Sequence, residues 1–134
     1  MKKTFTLLAA TVLAIISTAF MLQSSEPITK LSDGTYVVNT TTLAQDVKGY
    51  KSPTPLKIYI NKDKIQKIEA LPNQETPKFF KRVENGILGS WNGKSVKAAS
   101  SLKVDAVSGA TLSSNAVKEN VKRGLDYYKK NKNK

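Results

Sequence analysis

The strongest constraint in this chain is a periodic stripe near its C-terminus. From Ser113 onward, Val117, Val121, Leu125 and Tyr128 recur at spacings of four, four and three. That period puts them on one face of an amphipathic helix and leaves Lys118, Glu119, Lys122 and Arg123 towards water. Ser113 or Ser114 stands where an N-cap belongs, its hydroxyl accepting a backbone N–H of the first turn, so the pattern predicts a helix beginning just after Thr111. A helix N-terminus carries free N–H groups and about half a positive charge, which stabilises a nearby anion by about 0.3–1 kcal/mol. Gly109 has no side chain to keep an anion from the backbone, and Ser108, Thr111, Ser113 and Ser114 place hydroxyls around the same point. The chemistry suits a phosphate. The same residues also serve as plain capping and turn chemistry, and spacing alone leaves both readings open.

The sheet to receive that helix lies upstream. Asp33-Gly34 reads as a turn and Thr35 to Thr40 as a strand, rich in β-branched and aromatic residues. Thr41 to Lys48 is read as a further strand closing an initial hairpin. Leu56-Lys57-Ile58-Tyr59-Ile60 alternates as a half-buried strand does, Asn61 to Lys64 forms a turn, and Ile65 to Leu71 pairs back before Pro72. Ile65 and Ile68 have opposite parity, which a β-bulge or a covered second face reconciles. After Pro77, the residues Phe79, Phe80, Val83, Ile87 and Leu88 recur at helical spacing, with Gly89 as a stop. A short helix is expected within Ser95 to Lys103. The fold class is therefore α+β, a small antiparallel sheet packed with two or three helices.

The N-terminus is a targeting signal in form. Met1-Lys2-Lys3 is followed by an uncharged run from Thr4 to Ser25 with an apolar centre, Leu7 to Ile16. Ser17-Thr18-Ala19 offers small residues for cleavage, while Phe20-Met21-Leu22 extends the run towards the length of a short membrane anchor. Cleaved signal and retained anchor both stay open, and either sends the remainder out of the cytoplasm. The organisation expected is residues 1–25 as signal or anchor, 26–32 as linker, 33–130 as one domain and 131–134 as a basic tail.

Composition narrows the chemistry. The 134 residues contain neither cysteine nor histidine, which excludes disulfides, thiolate metal sites, a cysteine nucleophile and a Ser-His-Asp triad. No catalytic or metal-ligating residue is assigned, so any chemistry must come mainly from a cofactor. The formal charge of +12, from 22 basic against 10 acidic residues, favours acidic partners or anionic membranes. An exported chain is away from cytoplasmic nucleic acid, so no nucleic-acid partner is expected. The Lys57, Lys62, Lys64 and Lys67 group is read as a solvated strand face.

The run Asp105-Ala106-Val107-Ser108-Gly109-Ala110-Thr111-Leu112-Ser113 resembles the attachment motif of the FMN-binding domain family: Asp, small, any, Ser/Thr, Gly, Ala, Thr, any, Ser/Thr. The likeness extends to Asp33-Gly34-Thr35-Tyr36, Gly49-Tyr50 and Glu75-Thr76-Pro77, with Lys78-Phe79-Phe80 standing where many members carry Gly, a small apolar residue and Gly. The family includes flavoprotein subunits of sodium-translocating NADH:quinone oxidoreductases and their Rnf relatives. The resemblance implies FMN held through a phosphoester to Thr111, with Ser108, Gly109, Ala110, Ser113, Glu75 and Thr76 around it. It also implies that Asp105 helps a flavin transferase recognise its target, against the plainer role of an Asx-turn former. Trp91 either seals the core, its commoner use, or lies against the flavin ring.

The implied function is that of an extracytoplasmic electron carrier rather than an independent enzyme. It would be loaded by a transferase that uses FAD and Mg²⁺, and would exchange electrons with a membrane-bound partner. The competing expectation is a cofactor-free envelope module that binds an anionic ligand at the same helix N-terminus.

Overall fold

A computed structural model describes residues 26–133. The segment 1–25, read as signal or anchor, lies outside the described residues. The sheet is a four-stranded antiparallel meander in chain order: β1 (Ile28–Lys30), β2 (Tyr36–Asn39), β3 (Leu56–Asn61) and β4 (Lys64–Ala70). Three helices follow, α1 (Pro77–Ile87), α2 (Val96–Ser101) and α3 (Thr111–Asn131), with a 3-10 turn at Leu88–Trp91 after α1. The α+β expectation holds.

Strand β3 shows why the sheet has one wet face and one dry face. Leu56, Ile58 and Ile60 are fully buried and alternate with half-buried Lys57, Tyr59 and Asn61, because successive side chains of a strand point to opposite faces. Against the dry face lie Val117, Val121, Leu125 and Tyr128 of α3, all buried, joined by Phe80, Val83 and Ile87 of α1 and by Trp91. Each fully buried aliphatic side chain contributes about 1.5–3 kcal/mol. The helical stripe thus finds its partner surface, and Trp91 belongs to the core.

The parity conflict between Ile65 and Ile68 resolves as a bulge. Ile58 pairs with Ile68 and Tyr59 with Lys67, but Ile60 pairs with Ile65, so Gln66 is extra and both isoleucines reach the core. The turn between these strands is the two residues Lys62 and Asp63, at φ 51° and 60°. Two left-handed residues match the twist of a tight hairpin. Asp63 also accepts the Tyr128 hydroxyl at 2.5 Å and Lys132 Nζ at 3.0 Å, tying the end of α3 to the hairpin. Those hydrogen bonds, Tyr128 first, lower the Asp63 pKa.

Two expectations need correction. Thr41 to Lys48 is a series of turns rather than a strand. Asn39 Oδ1 accepts both the N–H and the hydroxyl of Thr41 (3.0 and 2.6 Å), bending the chain, and Arg123 then holds Leu43 O and the Asp46 carboxylate. The first hairpin instead uses Ile28–Lys30, inside the stretch read as a linker, paired with Tyr36–Val38. An isoleucine and a threonine in a short polar segment were too weak a signal against Pro27.

The buried polar centre of the core is Asn120 of α3. Its Oδ1 accepts Thr40 Oγ1 at 2.5 Å, and its Nδ2 donates to Ala116 O at 2.9 Å and Thr54 Oγ1 at 3.4 Å. Thr40 Oγ1 in turn accepts the Leu56 N–H at 2.9 Å. Asn120→Ala strips this network of its shared partner and is expected to cost about 1–3 kcal/mol, read as a lower urea midpoint at unchanged m.

Candidate functional site

Helix α3 begins without a capping side chain. Ala110 is its N-cap and Thr111 its first residue. The expected caps, Ser113 and Ser114, sit inside the first turn with their hydroxyls engaged elsewhere: Ser113 Oγ donates to Glu75 Oε1 at 2.7 Å, and Ser114 Oγ accepts the Val107 N–H at 3.0 Å. This corrects the capping expectation and moves the helix start to Thr111 itself. The uncapped first turn presents N–H groups and the positive end of the helix dipole. The loop before it closes with the Ala110 N–H on Val107 O at 2.9 Å. Gly109 stands at φ +80°, a conformation that side chains disfavour.

Glu75 holds this helix start against a second loop. Glu75 is only 5% exposed. Its carboxylate accepts the N–H of Tyr50 at 2.7 Å on Oε1 and those of Lys51 at 2.6 Å and Ser52 at 3.2 Å on Oε2, besides the Ser113 hydroxyl. Among the described residues no basic side chain forms a salt bridge with it. Burial pushes its pKa up, but the bonds from Ser113, Lys51, Tyr50 and Ser52 outweigh burial and hold the pKa below its ordinary value. Gly49 makes the arrangement possible, since a Cβ there would overlap Glu75 Oε1 and crowd the Ser113 backbone.

Between these parts opens a cavity of about 480 Å³ lined by Tyr50, Thr76, Phe79 and the run Gly109 to Ser113. Its size lies within the range of small-molecule sites, about 300–1,000 Å³. Of the five large apolar side chains left exposed among the described residues, Tyr50, Phe79 and Leu112 all line this one cavity. Thr111 is exposed at its lip. Of the residues singled out from sequence, Gly109, Ala110, Thr111, Ser113 and Thr76 come together here. Ser108 and Asp105 are exposed on the preceding loop and are not among the lining residues, and the Asp105 carboxylate accepts no hydrogen bond among the described residues, so an Asx turn is not formed there. Glu75 stands behind the wall rather than in it.

The sequence reading missed the apolar walls. Phe79 falls within the helical spacing of the core stripe, yet Phe80, Val83 and Ile87 complete that stripe at spacings of three and four, which leaves Phe79 to point elsewhere. Lys78-Phe79-Phe80 forms the first turn of α1, entered through Thr76 and Pro77, so the departure from glycine supplies an aromatic wall. Tyr50 carried no periodic signal; only its place after Gly49 marked it.

The depressed Glu75 pKa gives a signed expectation. The clamp contributes its full stability above about pH 4.3, the ordinary carboxyl value, and loses it as pH falls through the lower folded value. Glu75→Gln presents an amide to backbone donors and is expected to lower stability at pH 7 by about 2–3 kcal/mol. In urea unfolding series, the gap from wild type should narrow below about pH 4 as the wild-type carboxylate protonates.

A cavity beside an uncapped helix start, with hydroxyls at its lip and aromatic walls within, fits a phosphate-bearing planar ring system. The FMN-binding domain model matches residues 49–126, more than half of the chain, from the Glu75-clamped loop through most of α3. No curated protein and no solved structure gives a match. The chain belongs to the FMN-binding domain family, with FMN as its cofactor.

Proposed function

We propose that the protein is an extracytoplasmic electron carrier holding FMN through a phosphoester to the Thr111 hydroxyl. The observation that carries this reading is the position of Thr111, exposed at the cavity lip as the first residue of an uncapped helix. A hydroxyl there is open to a transferase, and a phosphate joined to it would lie beside the first-turn N–H groups. In the loading step, Thr111 Oγ attacks the FMN-side phosphorus of FAD. The P–O–P bond breaks, AMP leaves with the bonding electrons, and the hydroxyl proton passes to solvent; Mg²⁺ belongs to the transferase.

When bound, FMN supplies one- and two-electron redox chemistry. The chain's residues supply retention and surroundings. Tyr50, Phe79 and Leu112 offer apolar surface for the flavin ring, Thr76 offers a hydroxyl, and Ser113 is fixed by Glu75 so that the helix start keeps its place. A covalent ester suits an exported carrier, which has no cytoplasmic pool of FMN to draw on. The export reading rests on Met1 to Ser25, and the net positive charge suits docking to an acidic membrane partner or to anionic lipid. Family membership removes the ground for a cofactor-free module; reversible FMN binding without the ester is the reading that competes.

Intact mass under denaturing conditions separates the two. From cells supplying an FAD-dependent flavin transferase, the wild-type chain is expected to gain the mass of FMN less one water, and Thr111→Ala to gain nothing. An unmodified wild-type mass, with the transferase shown active on another substrate, would leave reversible binding in its place. The N-terminal mass reads cleavage in the same measurement.

A further inference from the structure

The chain has two arginines, Arg82 and Arg123, and they stand in opposite circumstances. Arg123 is held by Asp46 at 2.6 Å and Glu119 at 3.2 Å. Arg82 has no salt-bridge partner among the described residues. It projects from α1 one turn after Phe79, with its guanidinium carbon 5.8 Å from the centroid of the Phe79 ring. Its Nη1 comes within 3.7 Å of where a Cβ on Gly109 would be. One planar cation therefore stands close to both the aromatic wall of the cavity and the glycine two residues before Thr111.

The two proximities differ in consequence. Over Phe79 the guanidinium gains from the ring quadrupole, which helps hold an otherwise exposed side chain in one direction. Beside Gly109 it adds a full positive charge to the partial charges of the α3 N-terminus. A guanidinium presents its N–H donors in a flat fork that matches two phosphate oxygens, which a lysine ammonium does not.

We propose that Arg82 is a specificity-determining residue of the FMN site, the cation that pairs with the ligand's phosphate and so selects the phosphorylated flavin over riboflavin. The proposal rests on the family's FMN site but not on the ester. A free phosphate monoester and a phosphodiester at Thr111 both carry the negative charge that Arg82 would meet.

The test uses the full unmodified chain from cells without a transferase, titrated by equilibrium dialysis with FMN and, separately, with riboflavin. The wild type is expected to prefer FMN by about tenfold or more, the range of a charge-assisted pair. Arg82→Gln should lose most of that preference by weakening FMN binding alone, and Arg82→Lys, which keeps the charge but not the fork, should fall between. Lys81→Gln removes one charge from the neighbouring position of α1 and should change neither ligand by more than about twofold. Three outcomes overturn the proposal. The wild type shows no preference; Arg82→Gln weakens both flavins alike, which would make Arg82 a support for Phe79 only; or Lys81→Gln matches Arg82→Gln, which would make the effect one of general charge. The Thr111 ester is judged separately by mass, so either reading can fail without the other.

Discussion

A single buried carboxylate holds the two sides of the cavity in register. Glu75 collects three consecutive N–H groups from the Tyr50 loop and one hydroxyl from the start of α3, and those four donors take the place of a paired cation. Charge-assisted bonds of this kind are about twice as strong as neutral ones, and with burial the geometry is tightly defined. Tyr50 is thereby brought into the same cavity lining as Phe79 and the uncapped turn at Thr111. Ser113, inside the first turn, gives its hydroxyl to this carboxylate. The first-turn N–H groups that make the helix start attractive to an anion stay free of a side-chain cap because the N-cap residue is Ala110, which has no acceptor to offer.

The fold was legible wherever periodicity was strong. The α3 stripe, the alternation of β3 and the opposite parity of Ile65 and Ile68 each named a structure that exists, because burial on one face imposes a period that few other constraints imitate. The failures fell where local side-chain bonding overrode pattern. Asn39 turns the chain at Thr41, and three residues of β1 are too few for alternation to show. The candidate site was legible as a motif around Thr111 but not as a shape. The Glu-Thr-Pro run points to Glu75 as part of the site, but nothing in it shows that the carboxylate is a clamp behind the wall. Tyr50 and Phe79, which form the walls, have no spacing relation to Thr111 in the chain. Arg82 was one basic residue among 22, and only proximity distinguishes it.

Helix α3 unites the two ends of the molecule. Its first turn faces the cavity. Its last turn carries Tyr128, bonded to Asp63 at the β3–β4 turn, and Lys132, just beyond the helix, whose carbonyl accepts the Tyr36 hydroxyl at 2.6 Å from β2. Between them Asn120 and the apolar stripe fasten the helix to the dry face of the sheet. The position of Thr111 is therefore set by contacts along the full length of the helix.

The cavity is assembled from three segments far apart in the chain, the Gly49 loop, the entry to α1 and the loop into α3, and the bonds joining them span 25 and 38 residues. A fragment carrying residues 105–114 alone would keep the hydroxyl and the glycine but bring no aromatic wall, no carboxylate clamp and no arginine. As a chemical handle that segment is transferable; as an environment for a flavin it is not. The smallest portable unit of the site is the folded sheet and its helices together, so grafting it onto another scaffold means carrying the whole domain.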